Sequence, residues 1–409
     1  MKNSALPQGD YDLVIVGGGM VGASLAYALA KQSRLRIAMI ELTPFESDDQ
    51  PSYDDRAIAL SYGSRRIFEA MGVWGELAGQ LEPINSIHVS DRGHFGATRL
   101  HNDEEGVEAL GYVVENRVVG RVLLNRLAKL DHIQLLCPAA LTDMTQDRDG
   151  IDLQIEYKDQ KQKLRTRLLV AADGVTSRTR ELLGIGIKRR DYGQAAVIAN
   201  VTTEQPHNNV AYERFTDSGP VALLPMTDGR CSVVWTVKSG QLDTVLSLSD
   251  DQFLNQLQQR FGYRLGVLLK TGRRSAYPLA LVEAEQLVKG RAVVIGNAAH
   301  TLHPVSGQGF NLALRDVAVL AELLATAPDA GSATMLQSYA KQRKADMARV
   351  FRLTDSLVKI FSNEFAPLGH ARAAGLVALD LLPGLRHLLA RQSMGLLGQQ
   401  SKMMRRVPL

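Results

Sequence analysis

The sequence predicts an α/β protein in which a β-α-β unit is interleaved with an antiparallel-sheet domain and followed by a C-terminal helical segment. Three observations predict this fold. The apolar run Tyr11–Val16 stops at a glycine cluster, and a helix-forming stretch of small residues follows. Apolar and polar residues alternate in the middle of the chain, which is typical of an antiparallel sheet. A second buried run, Ala292–Ile295, then leads into another helix, so the first unit resumes after the sheet.

The first part of the chain has a regular order of elements. A helix is predicted from Met20 to about Gln32, and a second strand over Arg36–Ile40. Residues 44–56 are polar and turn-rich, so they are predicted to form a loop. A helix over Ser64–Met71 follows, with Gly72 as its stop.

The middle of the chain changes character. Residues 85–100 and 195–237 are predicted to form a sheet with one face in water. Between these segments, Arg117–Leu130 is amphipathic and predicted to be helical, and Leu168–Ala172 is predicted to be a buried strand. A long helix is predicted near Phe310–Ala325.

These elements predict domains that are discontinuous in sequence. Residues 1–80, 112–185 and 285–340 form the β-α-β domain, whereas residues 81–111 and 186–284 form the mixed antiparallel-sheet domain. Residues 341–409 form the C-terminal helices, with breaks at Pro367 and Pro383.

Composition excludes several classes of protein. The 409 residues include 47 Lys and Arg and 43 Asp and Glu, and a net charge of +4 is too small to indicate nucleic-acid binding. Cys137 and Cys231 form no metal-binding pattern, and such sparse usage fits a reducing cytosol. Residues 1–10 lack the layout of a signal peptide, and no stretch approaches the ~18 apolar residues of a spanning helix. We therefore expect a protein that is soluble or lies on a membrane surface.

A glycine-rich turn follows the first predicted strand. Gly17, Gly18, Gly19 and Gly22 form a GxGxxG pattern, in which glycine permits a tight turn, close approach to a pyrophosphate and close helix packing. The helix that begins there supplies N–H groups and a partial positive charge for phosphates. Glu41 ends the next predicted strand, at a position where an acid binds ribose hydroxyls. The pattern therefore predicts a Rossmann-like dinucleotide site.

Three further motifs follow. Arg56 follows two aspartates in a predicted loop. A surface ion pair would explain this arrangement as well as a role in ligand binding. Asp173 and Gly174 end a strand, which is also common in ordinary strand-to-helix turns. The strongest motif is the loop 296–311, which is called the late loop below, because its polar and glycine-rich sequence lies between a buried strand and a helix. Backbone N–H groups at such a helix start suit the electron-rich pyrimidine edge of a reduced flavin. The candidate binding residues of the late loop are Gly296, Asn297, Pro304, Gly307, Gly309 and Asn311.

In this order, the four motifs resemble those of the group A flavin-dependent aromatic hydroxylases, which have the para-hydroxybenzoate hydroxylase fold. The sequence is most similar to the ubiquinone-biosynthesis hydroxylases that act on polyprenyl-methoxyphenols, and the resemblance runs through most of the chain. The matching segments are DDRAIALS (54–61), HVSDRGHFG (88–96), VIANV (197–201), ERFTDSGPVALLPMTDGRCSVVW (213–235), RSAYPLAL (274–281) and GNAAHTLHPVSGQGFNLALRD (296–316).

The resemblance implies FAD as the cofactor and assigns its contacts by position. It places the glycine turn at the pyrophosphate, Glu41 at the ribose, Asp173 near both FAD and NAD(P)H, and the late loop at the flavin. Arg56 and Asn116 complete the implied set, with Arg117 as a rival to Asn116.

Two residues of the late loop depart from the general pattern. Asn297 stands where most group A hydroxylases have Asp, but the polyprenyl-methoxyphenol hydroxylases share this Asn. His300 stands where the resemblance predicts Gln, and nothing in the sequence explains it.

The implied reaction is hydroxylation of an aromatic ring, with NAD(P)H and O2 as co-substrates. In the family, NAD(P)H reduces the flavin, and a flavin C4a-hydroperoxide then transfers oxygen to an electron-rich ring carbon. The site must exclude water and help to deprotonate or polarise the phenol. Tyr212, Arg214, Tyr277 and His303 are the candidates for this task, although a lone loop histidine is more often only hydrogen-bonded.

A prenylated phenol also requires an apolar channel. Residues 221–226 (VALLPM) are candidates for its lining, and core packing of the sheet explains this run equally well. The C-terminal segment from His370 is leucine-rich. It contains several basic residues, and Asp380 is its single acidic residue. Such helices suit an anionic membrane surface, at the inner face of the membrane for a cytoplasmic protein. Packing on the core, on a second copy or within a quinone-biosynthesis complex explains the same pattern. The basic residues concerned are Arg372, Arg386, Arg391, Lys402, Arg405 and Arg406.

Other chemistries find little support in the sequence. It contains no HExxH, paired CxxC, GxSxG or Walker motif. The WxWxIP segment of flavin halogenases is also absent, since the tryptophans are Trp74 and Trp235. Two alternatives stay open: a flavin-dependent reductase of a prenyl chain, and a non-catalytic FAD-binding scaffold of a quinone-synthesis complex.

Overall fold

The computed structural model describes residues 10–31, 35–45, 56–361 and 366–407. The described strands are β1 (Asp10–Val16), β2 (Ile37–Ile40), β3 (Ala57–Ser61), β4 (Glu82–Ile84), β5 (Ser86–Asp91), β6 (Ala97–His101), β7 (Gly111–Glu115), β8 (Ile133–Leu136), β9 (Ala139–Gln146), β10 (Ile151–Tyr157), β11 (Gln160–Ala171), β12 (Ile187–Thr203), β13 (Val210–Thr216), β14 (Gly219–Pro225), β15 (Arg230–Lys238), β16 (Leu268–Thr271), β17 (Ser275–Ala284), β18 (Val288–Lys289), β19 (Ala292–Val294) and β20 (His300–Thr301). The described α-helices are α1 (Met20–Ala30), α2 (Tyr62–Met71), α3 (Trp74–Leu77), α4 (Asn116–Leu127), α5 (Arg178–Leu182), α6 (Leu242–Leu246), α7 (Asp250–Phe261), α8 (Gln308–Thr326), α9 (Ala333–Phe361), α10 (Ala366–Leu381) and α11 (Pro383–Ser393).

The first sheet confirms the predicted α/β unit. Its strand order is β18-β19-β11-β1-β2-β8, and β8, β2, β1, β11 and β19 are parallel. Strands β9 and β10 extend it as an antiparallel meander along the first half of β11. Helix α1 packs between α4 and α8. Central strands of such a sheet are covered on both faces, which is why β1 is a continuous apolar run with Leu13 and Ile15 fully buried.

The predicted element boundaries in this unit are close to the observed ones. Helix α2 begins at Tyr62 rather than Ser64, because the Ser61 hydroxyl caps it by accepting the Ser64 N–H. It ends at Gly72 as predicted, with a left-handed φ of 74°. Strand β11 is much longer than the predicted Leu168–Ala172 run, because its first half alternates exposed and buried residues against β10.

The second sheet confirms the predicted mixed antiparallel sheet, with the order β20-β17-β12-β15-β14-β13-β5-β6 and β16 beside β12. Its strands β5 and β13 are parallel to each other. One face packs against α7, where Phe253 lies beside Trp235. The prediction that the other face is wet is wrong for the central strands, since Ala196, Ala222 and Thr236 on that face are also buried. That face is turned toward the α/β unit, so we call it the inner face.

A three-stranded sheet, β3-β7-β4, joins the two units. Ala57 and Ala59 of β3 and Val113 of β7 pack against Ala211 and Met226 of the second sheet. The strands of the two large sheets fall within the predicted domain segments, except that β20 from the late loop pairs with β17.

The C-terminal helices pack onto this body. Helix α10 covers the edge strand β6, where the Thr98 hydroxyl donates to the Leu376 carbonyl at 2.7 Å. Pro383 begins α11, as the predicted break requires. Within the described ranges, no single helix is both long and apolar enough to span a bilayer. Residues 372–381 and helix α11 meet that criterion only together, as a pair bent by 98°.

Candidate active site

The glycine turn lies at the carboxyl edge of the parallel sheet, between β1 and α1. Gly17 has a φ of 105°, and a Cβ there would stand 2.4 Å from the Ala172 carbonyl oxygen. A Cβ on Gly22 would stand 1.9 Å from the Gly17 carbonyl oxygen. Gly19 begins α1 without a side-chain cap, so backbone N–H groups of the first turn are left for a ligand. This cradle fits a dinucleotide pyrophosphate.

Glu41 is held beside this turn at the end of β2. Its carboxylate accepts the Gly18 N–H at 2.6 Å and the Thr43 N–H at 2.8 Å. The side chain is largely buried, so the two hydrogen bonds fix the carboxylate in one place. A carboxylate at the end of the second parallel strand fits the ribose of a dinucleotide.

The late loop meets the glycine turn in space. Gly296 has a φ of 58°, and a Cβ there would stand 3.1 Å from the Val21 side chain of α1. Asn297 follows at the end of β19 and is exposed. Gly307 precedes α8 with a φ of 61° and no side-chain cap, and its N–H donates to the Pro304 carbonyl at 2.8 Å. The loop therefore offers a polar side chain and an uncapped helix start beside the cradle. Among the described residues, no atom lies within 4 Å of the position that a Cβ of Gly309 would take.

The remaining predicted cofactor residues surround the same edge. The backbone N–H of Asp173 lies 2.8 Å from a Cβ position on Gly17. The Asp173 carboxylate is occupied locally, because it accepts the Thr179 N–H at 2.9 Å and the Ser177 hydroxyl at the start of α5. At the start of α4, the Asn116 N–H donates to the Arg56 carbonyl at 2.8 Å. These contacts locate Arg56, Asn116 and Asp173 near the cradle. Binding of FAD by their side chains stays a prediction.

Comparisons with known proteins agree with this geometry. Residues 10–354 match the family described as FAD binding domain. The chain is 39% identical over 406 residues to ubiquinone hydroxylase UbiL of Rhodospirillum rubrum, covering 97% of this chain and 93% of that protein. It is 31% identical over 397 residues to the 3-demethoxyubiquinol 3-hydroxylase of Escherichia coli, covering 94% of this chain and 98% of that protein. The chain belongs to the FAD-dependent ubiquinone-biosynthesis hydroxylases.

The fold of this hydroxylase is shared more widely. The crystal structure of p-nitrophenol 4-monooxygenase PnpA from Pseudomonas putida superposes with a TM-score of 0.78 at 17% identity, covering 96% of this chain and 100% of that one. In this hydroxylase the cradle, Glu41 and the late loop would hold FAD, which supplies the redox and oxygen chemistry when it is bound.

Asn311 has a structural role in the hydroxylase that the sequence does not indicate. Its side-chain oxygen accepts the Ser61 N–H at 2.8 Å and the Ser64 hydroxyl at 2.7 Å. Its amide group donates to the carbonyls of Ala59 at 2.8 Å and Gly307 at 2.7 Å. All four hydrogen-bonding sites are thus used, which leaves the Asn311 side chain no capacity for FAD and makes it a tie between α8 and β3.

A buried ionic cluster beneath the late loop explains His300. The Asp316 carboxylate accepts the Gly296 N–H at 2.9 Å, lies 2.7 Å from His300 Nε2, and pairs with Arg343 Nε at 2.6 Å. Burial by itself raises the pKa of Asp316, but His300, Arg343 and the Gly296 N–H together hold that pKa at about 2. The pairing of Asp316 with Arg343 could not be predicted from sequence patterns, because it joins two helices that are separate in sequence.

The four candidate catalytic residues do not lie together, because they are on different sides of the second sheet. Tyr212 and Arg214 do not lie on the inner face: Tyr212 stacks edge-on against Phe261, and Arg214 donates to the Phe261 carbonyl on the α7 side. Tyr277 pairs with the inner-face residue Ala196. Burial raises the pKa of Tyr277, and the charge of Arg56 opposes this only in part. Tyr277 is therefore a hydrogen-bond donor at neutral pH.

His303 is fully buried in the late loop and lies edge-on to Tyr192, with ring centroids 5.4 Å apart. Its Nδ1 accepts the Val305 N–H at 3.2 Å. Burial lowers the pKa of His303 to about 4, so the ring is neutral at physiological pH. The remaining proton is then on Nε2, and His303 can donate a hydrogen bond but cannot accept a proton there.

The run 221–226 alternates between the two faces of the sheet, and its predicted core role is confirmed for the residues on the α7 side. Val221 and Leu223 are fully buried on the α7 side and form sheet core. Ala222 and Leu224 lie on the inner face, where Leu224 contacts the cluster that joins the sheets. The lining of a substrate channel by the residues on the inner face stays a prediction.

Proposed function

We propose that this hydroxylase adds oxygen to the ring of a polyprenyl-methoxyphenol in ubiquinone biosynthesis, with NAD(P)H and O2 as co-substrates. The observation that carries the proposal is the position of the late loop between the FAD cradle and the inner face. Gly296 lies against α1, while Val305 packs against Phe215 of β13. A ring bound at the inner face would therefore lie beside the flavin position, away from bulk water.

The character of the inner face supports a prenylated substrate. Ala222, Leu224, Val234 and Ile198 lie on neighbouring strands and give this face an apolar centre. A prenyl tail gains free energy from such a surface, at roughly 25 cal/mol per Å² buried. The names of the relatives place both of them in ubiquinone chemistry, which supports the same class of substrate.

In this proposal, NAD(P)H does not bind to a separate dinucleotide-binding domain. The sequence contains one GxGxxG turn, which the FAD pyrophosphate would occupy. We infer that NAD(P)H binds transiently in a groove near the flavin.

We further propose that the bend between α10 and α11 contacts the cytoplasmic surface of the membrane. The structure neutralises much of the basic tail, because Arg372 pairs with Asp91, Arg386 with Glu104 and Arg406 with Glu69. The bend nevertheless leaves four leucines between 46% and 72% exposed. An exposed apolar bend whose neighbouring basic side chains are partly ion-paired suits insertion into lipid, where a prenylated substrate resides. The leucines are Leu381, Leu382, Leu385 and Leu388.

Vesicle flotation tests this contact. The double variant Leu381→Ser, Leu382→Ser should lose most of the binding of the wild type to vesicles of phosphatidylethanolamine and phosphatidylglycerol. The control variant Val267→Ser, Leu269→Ser alters two other exposed apolar side chains and should bind as the wild type does. Vesicle binding by the leucine variant equal to that of the wild type would contradict membrane contact through the bend.

The first test of the function is a visible spectrum of the purified protein, followed by NAD(P)H and oxygen consumption with and without a short-chain prenyl-methoxyphenol. Bound flavin with phenol-stimulated oxygen uptake and a hydroxylated product supports the proposal. NAD(P)H oxidation without oxygen uptake, and with a reduced prenyl chain, would support the reductase. Bound flavin without phenol-dependent turnover would support the scaffold.

A further inference from the structure

A cavity of about 240 Å³ lies where α4, the joining sheet and the turn between β14 and β15 meet. Its walls come from β7, from the first two turns of α4, and from residues 226–230. Among the described residues, none of the glycine turn lines it. Glu115 and Arg117 in its wall flank Asn116, whose N–H donates to the Arg56 carbonyl. The cavity therefore lies beside the FAD site rather than within it.

Three arginines line this cavity. Arg117 and Arg121 lie four residues apart on α4, so they share one face of the helix, and Arg230 lines the cavity from the start of β15. Glu115, whose side chain is 8% exposed, accepts Arg117 Nε at 2.7 Å and Arg230 Nη2 at 3.2 Å. The other acid in the lining, Asp228, is 81% exposed. Three positive and two negative side chains give the lining a net positive charge.

Arg121 is available to a ligand. It is exposed, and within the described part of the chain no ion pair or side-chain hydrogen bond joins it to another residue. Arg230 forms its ion pairs with Glu115 and Asp228 through Nη2, and a guanidinium group carries five N–H donors. A phosphate group matches such donors, because guanidinium N–H groups bind phosphate oxygens in pairs. The chemistry of the lining thus favours a phosphate-bearing ligand.

The rest of the wall suits the nucleoside end of a dinucleotide. Val113, Val118 and Met226 give it an apolar part. The volume is below the ~300–1,000 Å³ of pockets that enclose a whole small ligand, so the cavity can hold one end of a longer molecule. NADPH carries a 2′-phosphate on its adenosine ribose, whereas NADH does not. In dinucleotide-binding proteins, a nearby arginine accommodates this 2′-phosphate.

We propose that this cavity binds the adenosine 2′-phosphate of NADPH through Arg121 and Arg230, an inference that rests on the proposed use of NAD(P)H. Glu115 orients the Arg230 guanidinium through their ion pair. The position of the cavity beside Asn116 leaves the nicotinamide end of the same molecule on the side of the flavin. The hydroxylase therefore prefers NADPH to NADH.

A binding measurement tests the site without turnover. The purified FAD-containing protein is titrated in a calorimeter with adenosine 2′,5′-bisphosphate and with adenosine 5′-monophosphate, which differ only in the 2′-phosphate. The wild type should bind the bisphosphate about 10-fold more tightly, as hydrogen bonds between charged groups predict. Arg121→Gln should lose most of this preference. The control Arg148→Gln alters an exposed arginine in the turn between β9 and β10 and should keep it.

Kinetics give a second readout of the same site. In Arg121→Gln, KM for NADPH should rise about 10-fold while KM for NADH changes less than about twofold, because NADH has no 2′-phosphate to lose contact with. Equal binding of the two nucleotides by the wild type, an unchanged preference in Arg121→Gln, or displacement of the bisphosphate by an equal concentration of inorganic phosphate would overturn the assignment. A wild type that shows the preference but no phenol-stimulated oxygen uptake would contradict the proposed hydroxylation and leave the NADPH site supported.

Discussion

Replacement of Asp316 by Asn should destabilise the protein through the buried cluster beneath the late loop. The Asp316 side chain is 1% exposed and contacts Gly296, His300 and Arg343. Removing one partner of a buried ion pair typically costs about 3–5 kcal/mol. Asn keeps one acceptor oxygen, and Arg343 retains Asp346 at 2.6 Å, so the lower part of this range applies. We therefore expect a loss of about 3–4 kcal/mol in the free energy of unfolding.

The depressed pKa of Asp316 gives an independent magnitude and a pH dependence. A fall from the ordinary value of 3.8 to about 2 corresponds to roughly 2–3 kcal/mol. Because the folded pKa is the lower one, this stability is complete above pH ~4 and is lost as pH falls toward about 2. The difference in stability between wild type and Asp316→Asn should therefore shrink as pH falls from 5 toward 3.

Urea unfolding followed by tryptophan fluorescence measures both effects, with and without FAD. Asp152→Asn is the matched control, since Asp152 pairs with Arg165 at 2.9 Å but is 57% exposed. Such surface pairs contribute ~1 kcal/mol or less. If Asp316→Asn were as stable as Asp152→Asn at pH 7, the buried cluster would not contribute as argued.

Two further predictions concern the cofactor cradle and the inner face. Gly22→Ala should lose bound flavin, measured by the visible absorbance of the purified protein, because a Cβ would stand 1.9 Å from a carbonyl oxygen of the turn. No atom of the described part of the chain lies within 4 Å of a Cβ on Gly240, so Gly240→Ala should keep flavin. Equal flavin content in the two variants would contradict the close packing at Gly22. Tyr277→Phe should lower phenol hydroxylation about 10-fold or more, whereas Tyr212→Phe, on the α7 side, should change it less than twofold. A larger loss in Tyr212→Phe would contradict the assignment of faces.

The cofactor cradle could be predicted from the sequence because its determinants are local. The turn requires glycine at Gly17 and Gly22, where backbone atoms of adjacent elements leave no room for a Cβ. Glu41 ends the next strand, so its position follows from the β-α-β geometry. Local patterns of this kind fix the fold class and most element types.

The inner face could not be assigned in the same way. Which face of a strand meets the flavin depends on strands paired across long distances in sequence, and a shift of one residue exchanges the faces. Tyr212 and Arg214 were plausible candidates by residue type, but they lie on the α7 side of β13. His300 could not be explained from the sequence, because its partner Asp316 is placed beside it by the packing of α8.

The late loop is anchored to both units, and this has a consequence for catalysis. Gly296 is fixed through Asp316, β20 pairs with β17 of the second sheet, and Val305 packs on Phe215. The flavin position and the inner face are therefore connected by one loop that is packed and hydrogen-bonded to both units. Oxygen transfer depends on the distance and angle between the reacting atoms, and a misplacement of about 1 Å costs as much as 100-fold in rate. A loop anchored in this way would set that distance by packing and hydrogen bonding before a substrate binds.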